Sequence, residues 1–162
     1  MKIINIVGAR PNFIKIAPIM RAMKSSSVLQ PILLHTGQHY DVKMSENFFR
    51  ELDIPHPDIS LEVGSASQAK QVALIMERFE TVCDTEKPGA ILVVGDVNST
   101  MACSLVAAKK GIKIIHVEAG IRSFDRTMPE EINRLVTDSA TALAILELPQ
   151  HEAAKPARTT KS

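Results

Sequence analysis

Carboxylates recur where apolar runs of this chain end. Asp96 follows Val93-Val94-Gly95, and Glu118 follows His116-Val117. Glu130 lies in the segment Met128-Pro129-Glu130-Glu131-Ile132-Asn133-Arg134. Two carboxylates on the ends of neighbouring strands stand roughly 5–10 Å apart, because strands are spaced at ~4.8 Å. Such a pair can have its pKa values pushed apart and so divide the roles of acid and base. Arg10 and Lys15 flank the first turn out of an apolar run, a place where cations can hold a phosphate or carboxylate. The chemistry on offer is therefore acid–base work beside an anion.

Each residue also has a plainer reading. Asp96 is expected to cap a helix starting near Asn98. Pro129, Glu130 and Glu131 suit the first turn of a helix, and Arg134 sits four residues from Glu130, as a simple ion pair would require. His39 fits a surface loop or a polar contact in a cleft, whereas His116, inside an apolar run, fits a satisfied core position. His35, His56 and His151 show no metal-ligand grouping, and Cys83 and Cys103 show no metal or redox spacing. The chain lacks the G-x-G-x-x-G and G-x-x-x-x-G-K-[ST] loops, so a dinucleotide site and a P-loop are unsupported. It also lacks H-E-x-x-H and G-x-S-x-G.

The elements that must position these groups follow from the apolar patterning. Lys2–Val7, Pro31–Thr36, Ala90–Val94 and Gly111–Val117 are short and almost continuously apolar, as strands buried on both faces of a parallel sheet are. Between them, Ser67–Thr85 has helical spacing, with Ser65 and Gln68 read as a capping box at its start. Ser99–Lys110 is a second helix, closed by Gly111. Ser45–Leu52 is a third, and Asn12–Lys24 a fourth, in which Pro18 implies a kink or a late start. Strands alternating with helices give a doubly wound α/β sheet, in which ligands bind beyond the carboxyl ends of the strands. Four loops then open on that edge, each with a glycine beside polar groups: Gly8–Asn12, Thr36–His39, Gly95–Thr100 and Glu118–Ser123.

Composition narrows the function classes. Nineteen Lys+Arg against 18 Asp+Glu is too even for a nucleic-acid groove. A hydrophobic content of 45% supports a core, and no apolar run nears the ~20 residues of a membrane helix. The default expectation is a soluble cytoplasmic protein that binds neither nucleic acid nor membrane.

Taken in order, the segments Gly8-Ala9-Arg10-Pro11 with Lys15 and Pro18, Thr36-Gly37-Gln38-His39, Gly95-Asp96-Val97-Asn98-Ser99-Thr100, His116–Ser123 and Met128–Arg134 resemble the non-hydrolysing UDP-N-acetylglucosamine 2-epimerases, over Met1 to about Ser139. The resemblance implies the Rossmann-like N-terminal half of a glycosyltransferase-B-type fold, with the site between two such halves. It implies interconversion of UDP-GlcNAc and UDP-ManNAc, by elimination of UDP to a 2-acetamidoglucal and re-addition, with no cofactor and no metal. Carried over, Asp96, Glu118 and Glu130 are the catalytic carboxylates. Arg10 is expected near the diphosphate, with Lys15 a further substrate contact and Arg134 in the cleft wall. Gln38 and His39 fall where a second, allosteric UDP-GlcNAc binds.

Family members are about twice as long. The expectation is a domain over residues 1–148, a flexible tail over 149–162, and no C-terminal nucleotide-binding domain, as in a truncated or frame-shifted product. Such a half should bind UDP-GlcNAc weakly and be inactive unless a separate C-terminal-half chain supplies the missing domain; a homodimer is the other partnership the family suggests. The alternatives are a non-catalytic remnant or interaction domain, and a hydrolysing epimerase or related glycosyltransferase subunit.

Overall fold

The computed structural model describes residues 1–37, 56–119, 123–125 and 127–133. The helix expected at Ser45–Leu52 and the tail over 149–162 lie outside them. Strands β1 (Lys2–Val7), β2 (Gln30–His35), β3 (Ile59–Ser60), β4 (Ala90–Val94) and β5 (Lys113–Val117) form one sheet in the order β3-β2-β1-β4-β5. Every neighbouring pair is parallel. The two-residue β3 is not signalled by apolar patterning, and β5 starts at Lys113, two residues after Gly111 has closed the preceding helix at φ +66°.

Helices cover both faces of the central strands, which is why β1 and β4 are apolar on both. Helix α1 (Arg10–Lys24) packs Phe13, Ile16, Ala17 and Met20 on Ile3, Val7, Leu33, Leu92 and Val94. Helices α2 (Gln68–Glu86) and α3 (Asn98–Lys109) pack the other face, where Ile75, Phe79, Cys83, Ala102, Cys103 and Val106 meet Ile4, Ile6, Leu34, Ile91 and Val93. Both thiols are buried, which pushes Cys83 up to about 11 and raises Cys103, so neither is a thiolate near neutrality.

Helix starts differ from the expectation in three places. Helix α1 begins at Arg10, with Pro11 in its first turn, where a missing N–H costs nothing, and Pro18 lies exposed inside it. The cap of α2 is Ser67, not Ser65: its Oγ accepts from Lys70 N at 3.4 Å. Asp96 does not cap α3. The N-cap position is Val97, and no side chain closes that end.

His35 ends β2 at 3% exposure, its ring 5.4 Å from that of Phe13. Burial lowers its pKa to about 4 from 6.5. The unfolded chain therefore binds a proton below 6.5 that the folded chain refuses until about 4. Stability contributed by neutral His35 is present above that window and is lost as pH falls through it. We expect a loss of about 2 kcal/mol between pH 7 and pH 5 from this group. Urea midpoints at the two pH values should fall less in His35→Gln than in the parent, and equal falls would exclude the burial as the cause.

Candidate functional site

Strand order reverses at β1, whose neighbours are β2 on one side and β4 on the other. The loops leaving β1 and β4 therefore diverge, and the crevice between them is where an α/β sheet takes a ligand. Asn12 ties the two together. Its Oδ1 accepts from Gly8 N at 3.2 Å and Ala9 N at 2.9 Å, while its Nδ2 donates to Val94 O at 3.1 Å. Thr100 Oγ1 donates to the same carbonyl at 2.9 Å. Gly95, at φ +68°, turns the chain out of β4, and its N–H donates to Val117 O at 2.9 Å. At the following peptide, His116 Nε2 lies 2.7 Å from Gly95 O and donates to it. His116 is thus half-buried and holds the turn that presents Asp96, rather than filling the core.

Asp96 is half-buried directly after that turn. Glu118 is exposed, the first residue past β5, at φ +61°. A non-glycine residue in the left-handed region costs of order 1 kcal/mol, a strain that points to a required side-chain direction. Its carboxylate pairs with the Lys15 ammonium, from one turn into α1. Lys15 thus meets a carboxylate of the expected site. Arg10, the first residue of α1, is exposed at the same edge. Glu130 is half-buried in the helical turn over 129–133. Gln38, His39 and Arg134 lie outside the described residues.

The turn over 129–133 is anchored by two residues that the sequence motif contains but does not distinguish. Glu131 is 2% exposed, and its Oε1 accepts from Ser123 N at 2.7 Å, Ser123 Oγ at 3.2 Å and Phe124 N at 3.2 Å. It therefore holds the strand-exit loop rather than simply complementing its own helix end. Asn133, 6% exposed, donates from Nδ2 to Asp96 O at 3.0 Å and to Asn98 Oδ1 at 3.2 Å. These contacts bring Glu130's turn against Asp96's loop. Among the described residues no cluster of three or more His, Cys, Asp or Glu side chains is arranged to hold a metal ion. No helix among them is long and apolar enough to cross a membrane.

Comparison with known proteins bears on this edge. Residues 21–155 match the family model described as UDP-N-acetylglucosamine 2-epimerase. A Methanococcus maripaludis protein named as a homolog of that enzyme is 51% identical over 138 residues, which are 85% of this chain and 38% of the relative. A Pseudomonas aeruginosa UDP-2,3-diacetamido-2,3-dideoxy-D-glucuronate 2-epimerase is 45% identical over 141 residues, 87% of this chain and 40% of the relative. The structure superimposes on Methanocaldococcus jannaschii UDP-GlcNAc 2-epimerase, solved in complex with UDP-GlcNAc and UDP, with a TM-score of 0.83 at 44% identity. That match covers 87% of this chain and 39% of the other. The chain thus spans about two fifths of the length of these relatives.

Proposed function

Because the chain belongs to the UDP-N-acetylglucosamine 2-epimerase family, we propose that it supplies the acid–base half of a site interconverting UDP-GlcNAc and UDP-ManNAc. The observation that carries this reading is the gathering of Asp96, Glu118 and the turn of Glu130 at the switch-point edge, by Asn12, His116, Lys15 and Asn133. In the forward half-reaction a carboxylate removes the C2 proton, the C2–H electron pair forms the C1–C2 double bond, and the C1–O bond breaks with its pair leaving on UDP. In the return half-reaction a UDP oxygen adds to C1 and a carboxylic acid returns a proton to the other face of C2. Two carboxylates on opposite faces of the sugar are what this needs, and Asp96, Glu118 and Glu130 are the candidates. Arg10 opposes the diphosphate charge, and the N-terminus of α1 beside it favours the same anion. The chain contributes one wall of the cleft, and closure by a second wall excludes water from the glucal. Gln38, His39 and Arg134 keep the roles the family resemblance implies for them, the first two at a second substrate site.

A second reading concerns the sugar. The Pseudomonas relative is named for a 2,3-diacetamido glucuronate. The shared chemistry is UDP on C1 and an acetamido group on C2, so both nucleotide sugars belong in the test.

The experiment joins residues 1–139 of this chain to the C-terminal portion of the M. jannaschii enzyme and follows the C2 proton by NMR in D₂O. We expect the chimera to lose the C2 signal of UDP-GlcNAc and form UDP-ManNAc, whereas the chain by itself leaves the signal unchanged. A folded chimera that binds UDP without exchanging C2 of either sugar would overturn the proposal. Release of free UDP and ManNAc would assign the chain to the hydrolysing branch.

A further inference from the structure

We infer that a head-to-tail chain of side-chain amides, Asn133–Asn98–Gln71, sets the position of the Asp96 loop from the first turn of α2, making Asn98 and Gln71 positioning residues for that carboxylate. The inference rests on the functional reading above only in calling Asp96 catalytic.

The polarity of the chain is fixed at both ends by backbone carbonyls. Asn133 Nδ2 donates to Asp96 O at 3.0 Å and to Asn98 Oδ1 at 3.2 Å. Asn98 Nδ2 donates in turn to Gln71 Oε1 at 3.0 Å and to Gln68 Oε1. Gln71 Nε2 donates to Gly64 O at 3.2 Å. A carbonyl only accepts, so the amide facing it must present its NH₂, and each oxygen is then turned toward the next amide's NH₂. Reversing any one amide sets oxygen against oxygen. Hydrogen bonds aligned in this way polarise one another, and a break at one end is felt along the row. Asn133 and Gln71 are 6% and 8% exposed, so water replaces their contacts poorly.

The chemistry of the row suits its place. Amides do not titrate, so they hold the loop of an acid–base residue without adding a charge that would move its pKa or compete for a proton. The row also begins on the Asp96 carbonyl, not its carboxylate, which leaves both carboxylate oxygens to the reaction. Gly64, at the other end, donates its own N–H to Gly37 O at 3.1 Å, so the row spans from the loop beyond β2 to the loop beyond β4.

Gln71→Glu is isosteric and keeps the acceptor for Asn98, but its ionised carboxylate has no donor for Gly64 O. Gln71→Leu removes both functions and tests the fold without the charge. In ¹⁵N-labelled full chain we expect both variants to move the Asn133 side-chain NH₂ and Asp96 backbone signals while leaving Ile16, on the buried face of α1, in place. In the chimeric epimerase both should lower kcat at least ~10-fold with KM unchanged, since a displacement of ~1 Å of a reacting group is worth up to ~10²-fold. Folded variants with unmoved Asn133 and Asp96 signals overturn the relay. Moved signals with unchanged kcat overturn its positioning role. If a parent chimera that folds and binds UDP exchanges C2 of neither sugar, the functional reading falls and the NMR shifts alone decide the relay.

Discussion

Asp96→Asn and Glu118→Gln, each made in the chimeric epimerase, are expected to lower kcat by ~10²–10⁴-fold, the usual contribution of a positioned acid or base. In barrier terms that is about 3–5 kcal/mol. Both substitutions are nearly isosteric, and both sites lie at the solvent-facing edge, so the circular dichroism melt should hardly move. Glu118→Gln also deprives Lys15 of its charged partner, and Lys15→Met separates the two effects. The pair is about one-third exposed on each side, 35% and 34%, so its loss costs little stability. Lys15→Met should then fall short of Glu118→Gln in its effect on C2 exchange. Equal losses would mean that the ammonium, not the carboxylate, carries the step, and parent-like exchange in Asp96→Asn would remove Asp96 from the chemistry.

Asn12→Leu should be the most damaging substitution to stability at this edge, at about 3–4 kcal/mol by urea unfolding of the chain. Asn12 is 4% exposed, and leucine has the same branched four-atom side-chain skeleton with larger methyl ends, so no cavity opens. The cost is the amide N–H groups of Gly8, which is buried, and Ala9, which is half-buried, both left without their acceptor, at about 1–3 kcal/mol each and less for Ala9. Val94 O suffers less, because Thr100 still donates to it. Asn12→Asp keeps the acceptor for both N–H groups and sits at the N-terminus of α1, where negative charge is favoured. It should be the milder variant although it turns a carboxylate oxygen toward Val94 O. A Leu variant within ~0.5 kcal/mol of the parent, the range of ordinary surface changes, would mean that the switch point does not depend on this side chain.

Four of the five strands are legible from near-continuous apolar runs, which burial on both faces explains for β1 and β4 but not for β5, where Ile115 is 41% exposed. The fifth, β3, is two residues long and has no such run to offer. Parallel order and the edge at which loops open followed from alternation of elements, and the carboxylates at strand ends followed from that edge. Partnerships were not legible. Nothing in the sequence joins Lys15 to Glu118, which are 103 positions apart, because a long-range ion pair leaves no periodic trace. Asp96 suits a cap by residue type and place, yet the structure uses its carbonyl as an anchor for Asn133. Ser65 and Ser67 are equally good caps by type, and only the backbone geometry selects Ser67. Glu131 had a sufficient local explanation at a helix start, which concealed its part in holding Ser123 and Phe124.

The strand order has a consequence for the order of assembly. β1 is the first of the five strands in chain order and sits at the centre, with Ile3 opposite Pro31 on one side and Ala90 on the other. On a ribosome the first partner follows within one helix, but the second arrives only after α2 has been synthesised. Until then β1 presents an unpaired, apolar flank, the kind of template on which nascent chains aggregate. Asn5 interrupts that flank between Ile4 and Ile6. In the finished sheet it is fully buried and contributes weak bonds to Ile3 O and Ile32 O, at 3.4 and 3.3 Å. A polar residue inside an apolar strand also lowers the strand's tendency to aggregate while it waits for a partner.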